Sequence, residues 1–242
     1  MPPPFARQPP FAAGEEHETM LVLGMDTSLQ ACSVALVNRA SGEVISYRRE
    51  IMERGQAEVL PDMVDAVMME AGDPYDTLAV VAITRGPGSF TGVRIGLSFA
   101  RALAATLEIP ITSMTTLEAI ARNVRHNPER LPVAAVIDAR REEVYMQVFE
   151  ADLRPLTDAA LVPLSRAAEH LPPGPCLLVG TGAELLKDED ARRIAADADP
   201  LPSAEVVALH APVEPLPGEP PEPLYLRPPD AKPQKPLISR PN

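Results

Sequence analysis

The readable part of the chain opens on runs of apolar residues. LVLGMD (21–26) is apolar up to its closing acid, ACSVALVN (31–38) follows a TSLQ turn, and EVISYRREI (43–51) follows Ser41-Gly42. Three such runs joined by short turns predict an antiparallel meander. The period then changes. In 57–72 the apolar positions 59, 60, 63, 64, 67, 68 and 71 share one helical face, and Gly72 supplies a C-cap. LAVVAIT (78–84) is apolar throughout and predicts a central strand covered on both faces. A glycine-rich loop, a helix over about 92–107, a short strand at 110–114 and a helix over 115–124 complete this half.

The pattern then repeats. AVIDARREEVYMQVFE (135–150) has the shape of LGMDTSLQACSVALVN (23–38): an apolar strand ends in Asp138 or Asp26. Val144, Met146 and Val148 then recur where Cys32, Val34 and Leu36 stand in the first copy. Beyond it lie a short helix near 164–171, a strand CLLVG (176–180) and helical pieces near 183–196 and 203–210. The expected fold is α/β in two lobes on one plan, each built on a mixed sheet. An N-terminal lobe (20–131) carries an antiparallel meander plus βαβ units, and a reduced C-terminal lobe (132–211) follows.

Composition adds the ends. Of 29 prolines, five fall in residues 1–10 and eighteen from Pro155 onward, so the middle is nearly free of them. Segment 1–19 reads as a disordered leader, with Met20 a second candidate start. Segment 212–242 reads as an extended tail, because proline fixes φ and lacks a donor. The net charge of −12 argues against unaided binding to a nucleic-acid backbone, so RNA contact is expected only through a partner. Cys32 and Cys176 sit apart in apolar runs and read as buried thiols of a reducing compartment. No run approaches ~18 apolar residues and no signal-peptide core is present, which predicts a cytoplasmic protein with no membrane segment.

GPGSFTGVRIGLSFARALA (86–104) is the candidate chemistry. Gly86, Gly88 and Ser89 open onto a helix N-terminus, where backbone amides and the helix dipole suit a phosphate. The loop lacks the Gly-Lys-Ser/Thr of a P-loop. The same residues also serve structure: Gly-Pro-Gly turns the chain and Ser89 can cap the helix. Within the helix, Gly96, Ala100 and Ala104 form a small-residue stripe that permits close helix approach.

Six motifs in order, GMDTSLQACSVAL (24–36), TRGPGSFTGVRIGLSFARALA (84–104), IPITSMTTLEAIA (109–121), VIDARREEVY (136–145), VGTG (179–182) and PLYLRP (223–228), resemble the TsaB (YeaZ) family of the actin-like ATPase (ASKHA) superfamily. The resemblance implies a two-lobed actin-like fold. It also implies a part in making N6-threonylcarbamoyladenosine next to the anticodon of tRNAs that read codons beginning with A. The implied partners are the catalytic paralogue TsaD and the ATPase TsaE, with tRNA met only through the complex and a homodimer formed when the chain is alone. In the superfamily the residue at Asp26 helps hold Mg²⁺, with Thr27 and Ser28 near a phosphate, so weak or vestigial ATP or ADP contact is the only cofactor expected. Thr116 and Ile120 stand where the paralogue carries both histidines of a metal-binding His-x-x-x-His. The resemblance therefore implies no metal, no catalytic residue and a non-catalytic scaffold subunit. The partner face it implies is Val59, Met63 and Val67 on one helix with Val93, Gly96, Leu97, Ala100 and Ala104 on the next. The alternative is an independent actin-like small-molecule kinase or ATPase.

Overall fold

A computed structural model describes residues 19–72, 75–187, 192–212 and 220–227. The leader, save residue 19, and the tail, apart from 212 and 220–227, lie outside those residues. The chain folds into two five-stranded sheets. The first holds β1 (Leu21–Asp26), β2 (Ala31–Asn38), β3 (Glu43–Ile51), β4 (Leu78–Thr84) and β5 (Ile111–Met114) in the order β3-β2-β1-β4-β5. β1–β2 and β2–β3 pair antiparallel, while β4 runs parallel to both β1 and β5. The second holds β6 (Val133–Asp138), β7 (Glu143–Phe149), β8 (Ala160–Pro163), β9 (Cys176–Val179) and β10 (Arg193–Ala195) in the order β10-β9-β6-β7-β8. The two orders and senses match, so the repeat seen in the sequence is a repeat of topology.

Strand alternation sorts the core into layers. On the first sheet Leu21, Leu23, Met25, Val81 and Ile83 face α1 (Gln56–Ala71) and α2 (Phe90–Leu107). Val22, Ala35, Val37, Val80 and Ala82 face the other way, onto α4 (Ala204–His210). On the second sheet Val133, Ala135, Ile137 and Phe149 pack on Leu117, Ile120 and Ala121 of α3 (Thr116–Ala121). Among the described residues its opposite face carries only 3₁₀ turns at Leu164–His170 and Ala183–Leu186, where the first lobe has two full helices. This is the expected arrangement of two lobes on one plan, the second of them reduced.

Three expectations need correction. Residues 193–195 form a strand rather than part of a helix, because pairing with β9 overrides the helix-favouring composition. The strand β8 was not foreseen. The lobes also trade helices: α4, assigned to the second lobe by its position in the chain, covers the first sheet, and α3 covers the second. Polar ties reinforce this exchange. Arg49 on β3 pairs with Asp199, Asn123 donates to the carbonyls of Asp199 and Leu201 at 2.9 and 2.8 Å, and Arg39 donates to the Ala211 carbonyl at 2.5 Å.

Candidate functional site

The turn after β1 meets the glycine loop along a closed seam. Asp26 is fully buried, and its Oδ1 accepts from Ser28 N at 3.2 Å, Ser28 Oγ at 2.6 Å and Thr84 Oγ1 at 2.5 Å. Its Oδ2 has no partner among the described residues. Burial pushes this carboxyl up to about 6, against the lowering effect of those hydrogen bonds. Thr27 and Ser28 are buried beside it, with Thr27 Oγ1 donating to the Gly92 carbonyl at 2.8 Å.

The fit of this seam to a phosphate follows from its donors and its space. Ser89 N donates to the Ser28 carbonyl at 2.8 Å, and Gly92 N donates to Ser89 Oγ at 3.3 Å. Two of the loop's amides are thus engaged within the chain. A Cβ on Gly88 would lie 2.2 Å from the Ser28 carbonyl oxygen, and one on Gly92 2.1 Å from that of Thr27. The space above each glycine is filled by the turn's own backbone. In this arrangement Gly88 and Gly92 serve the close approach of two backbone segments. Among the described residues no three His, Cys, Asp or Glu side chains gather as a metal site. Thr116 and Ile120 are buried in the core.

Beside the seam, a cleft of about 490 Å³ separates the lobes, lined by Gly88, Ser89 and Phe90 from one and Asp138, Ala139, Arg140 and Tyr145 from the other. Residues Leu224–Arg227 form a further wall. Asp138, the repeat partner of Asp26, accepts from Arg140 N at 2.8 Å and is half-buried. Of the first-lobe residues predicted to hold a phosphate, Gly88 and Ser89 line the open space, while Asp26, Thr27 and Ser28 are buried in the seam.

The helix pair is the second candidate. Met63, Val67, Val93, Gly96, Leu97, Ala100 and Ala104 lie in the lobe's own core, and Val59 is half-buried against it. This corrects the expected partner face. The Gly96–Ala100–Ala104 stripe brings α2 close to the sheet, and a Cβ on Gly96 would meet Thr27 Oγ1 at 2.4 Å. The outward face of α2 is instead Ser98, Ala102 and Thr106, flanked by half-buried Ile95, Phe99 and Leu103. On α1 Met69 is 82% exposed. The outward stripe was legible as the same four-residue spacing shifted by two positions. Choosing between the stripes required knowing which one met the sheet.

A family model described as TsaD, tRNA N6-adenosine threonylcarbamoyltransferase, matches residues 45–188. The tRNA threonylcarbamoyladenosine biosynthesis protein TsaB of Escherichia coli is 31% identical over 223 residues, which cover 86% of this chain and 95% of that protein. Among solved structures, YeaZ from Pseudomonas aeruginosa matches with a TM-score of 0.69 and 32% identity, covering 78% of this chain and 90% of that one. A protein described as uncharacterized, with similarity to the peptidase YeaZ from the same organism, matches with a TM-score of 0.72 and 30% identity. That match covers 86% of this chain and all of the other.

Proposed function

The chain belongs to the TsaB (YeaZ) family, and from that premise we propose that it acts in threonylcarbamoyladenosine formation on tRNA as a non-catalytic subunit that docks a TsaD-type transferase. The observation carrying this reading is the outward face of α1 and α2. Met69 stands in solvent, and Ile95, Phe99 and Leu103 are only half covered by the lobe beneath them. Two adjacent helices with small residues between apolar flanks suit a second helix pair, since small side chains let backbones approach and the flanks bury area. The thioether of Met69 adapts to an irregular partner surface.

The sealed seam supports the non-catalytic part of the proposal. A phosphate held by Ser89 N or Thr27 Oγ1 would have to break the Ser89–Ser28 or Thr27–Gly92 bond. The acidic net charge fits a subunit that reaches tRNA only through its partner. In the same reading a TsaE-type ATPase joins the pair, and an isolated chain covers the helix face with a second copy.

The test is co-elution with a TsaD-type protein on a sizing column, using Met69→Glu with Ala102→Glu. Both positions are exposed, so the monomer should keep its circular dichroism and melting temperature while the complex is lost. Undiminished complex formation, or modified adenosine produced by the isolated chain without a partner, would overturn the proposal.

A further inference from the structure

The PLYLRP stretch has no role in the docking reading. Its described part, 223–227, runs between the lobes and is anchored on each. On the first lobe Leu224 N donates to the Arg85 carbonyl at 2.7 Å. Arg94 Nε on α2 donates to Tyr225 Oη at 2.7 Å, and the Tyr225 ring lies 5.2 Å from that of Phe90. The Arg94 guanidinium sits 3.7 Å over the Phe90 ring, which closes this anchor as a stack. Two turns along the same helix, Arg101 donates to the Pro221 carbonyl.

On the second lobe Arg227 makes the polar attachment, next to Leu226, which packs against that lobe's apolar cluster. Arg227 donates to the Ala139 carbonyl at 2.9 Å and to Glu143 Oε2 at 2.5 Å, and its guanidinium lies 5.9 Å from the Tyr145 ring centroid. Ala139 and Glu143 flank the turn between β6 and β7, where Arg140, Arg141 and Glu142 hold φ of 61°, 56° and 57°. Three consecutive side-chain-bearing residues in the left-handed region are strained and need outside support. Arg227 grips the residues on both sides of them. The ion pair is largely shielded, with the Arg227 and Glu143 side chains 24% and 30% exposed, so it is stronger than a free surface pair.

We infer that residues 223–227 form an inter-lobe clasp, anchored on α2 and latched by Arg227 to the β6–β7 turn, that sets how far the cleft between the lobes can open. The clasp supplies one wall of that cleft, and only two residues, Tyr225 and Leu226, separate the Leu224 anchor from the Arg227 latch. So short a link allows little relative movement while both ends hold, because an extended chain spans at most about 3.6 Å per residue. Releasing the latch frees one wall and one restraint together. This inference does not depend on the docking face and can fail without it.

The test is hydrogen exchange on the full chain, comparing the parent with Arg227→Ala, Arg227→Lys and the exchanged pair Arg227→Glu/Glu143→Arg. Loss of a charge-assisted, partly buried bond should speed exchange about ten-fold in 86–92 and 137–145, the two sides of the cleft, while central strands β1 and β2 keep their protection. The lysine variant should fall between, since it keeps the charge but loses the fork. The exchanged pair should recover part of the loss. As a second reading, spin labels at Glu58→Cys and Asp158→Cys should give a broader inter-lobe distance distribution in Arg227→Ala. Faster exchange confined to 220–227, with the cleft sides and the distances as in the parent, overturns the clasp. Loss spread evenly over both sheets in the alanine and lysine variants alike also overturns it.

Discussion

Replacing Asp26 by asparagine should remove a definite part of the protein's response to pH. The carboxyl is fully buried, one oxygen has no partner among the described residues, and burial lifts it from an ordinary 3.8 to about 6. A group that holds its proton more tightly when folded stabilises the fold as pH falls. Its contribution is complete below 3.8 and lost as pH rises through 6. Linkage across that window gives a gain of about 1.4 kcal/mol between roughly pH 7.5 and pH 5 for the parent, and none from this position in Asp26→Asn. Asparagine keeps an acceptor for Ser28 and Thr84 and stays neutral at both pH values. Groups elsewhere with lowered values, such as Asp199 beside Arg49, lose stability over the acid range in both proteins and cancel in the comparison. Urea unfolding followed by circular dichroism at the two pH values yields the difference of differences. Equal responses in parent and variant, or a larger acid loss in the parent, would refute the reasoning and place the carboxylate in a wetter site than the seam allows.

Other outcomes follow from the packing. Gly92→Ala would press its Cβ against the Thr27 carbonyl, so it should lower the melting temperature by roughly 5–10 °C; Gly174→Ala, with nothing within 4 Å, should leave it unchanged. Gly96→Leu should unfold the first lobe rather than block docking in a folded chain, and loss of the thermal transition would show it. Cys32, pushed up to about 12 chiefly by burial, and Cys176, also raised by burial, should resist an aromatic disulfide reagent near pH 8. Two equivalents should be released only in denaturant.

The strands of the first lobe were legible because each carried its own signal. LVLGMD and LAVVAIT are buried on both faces and read as continuous apolar runs, and the meander announced its turns. β8 was invisible at four residues ending in proline, and β10 was hidden in an alanine- and arginine-rich stretch that favours helix until β9 pairs with it. Asp26, Thr27, Ser28, Gly88 and Ser89 of the seam were identifiable, while Thr84, which donates to Asp26, was not. What they touch was not, because a glycine that admits a phosphate and a glycine that admits a neighbouring carbonyl look alike in sequence. The partner face shows the same limit. A helix apolar almost all round does not declare which stripe meets its own sheet. Nothing in the sequence tells that Arg94 and Arg101 hold the proline-rich segment, or that Arg227 within it reaches Glu143.

The trading of α3 and α4 bears on how this molecule can be synthesised and divided. When residues 20–131 have left the ribosome, Val22, Ala35, Val37, Val80 and Ala82 still form a bare flank, since the helix that covers them is not yet made. The second half in isolation would likewise lack Leu117 and Ile120 to close its sheet. Despite its two lobes the chain is one unit of maturation, and a nascent or severed half is the form most exposed to chaperone capture or aggregation.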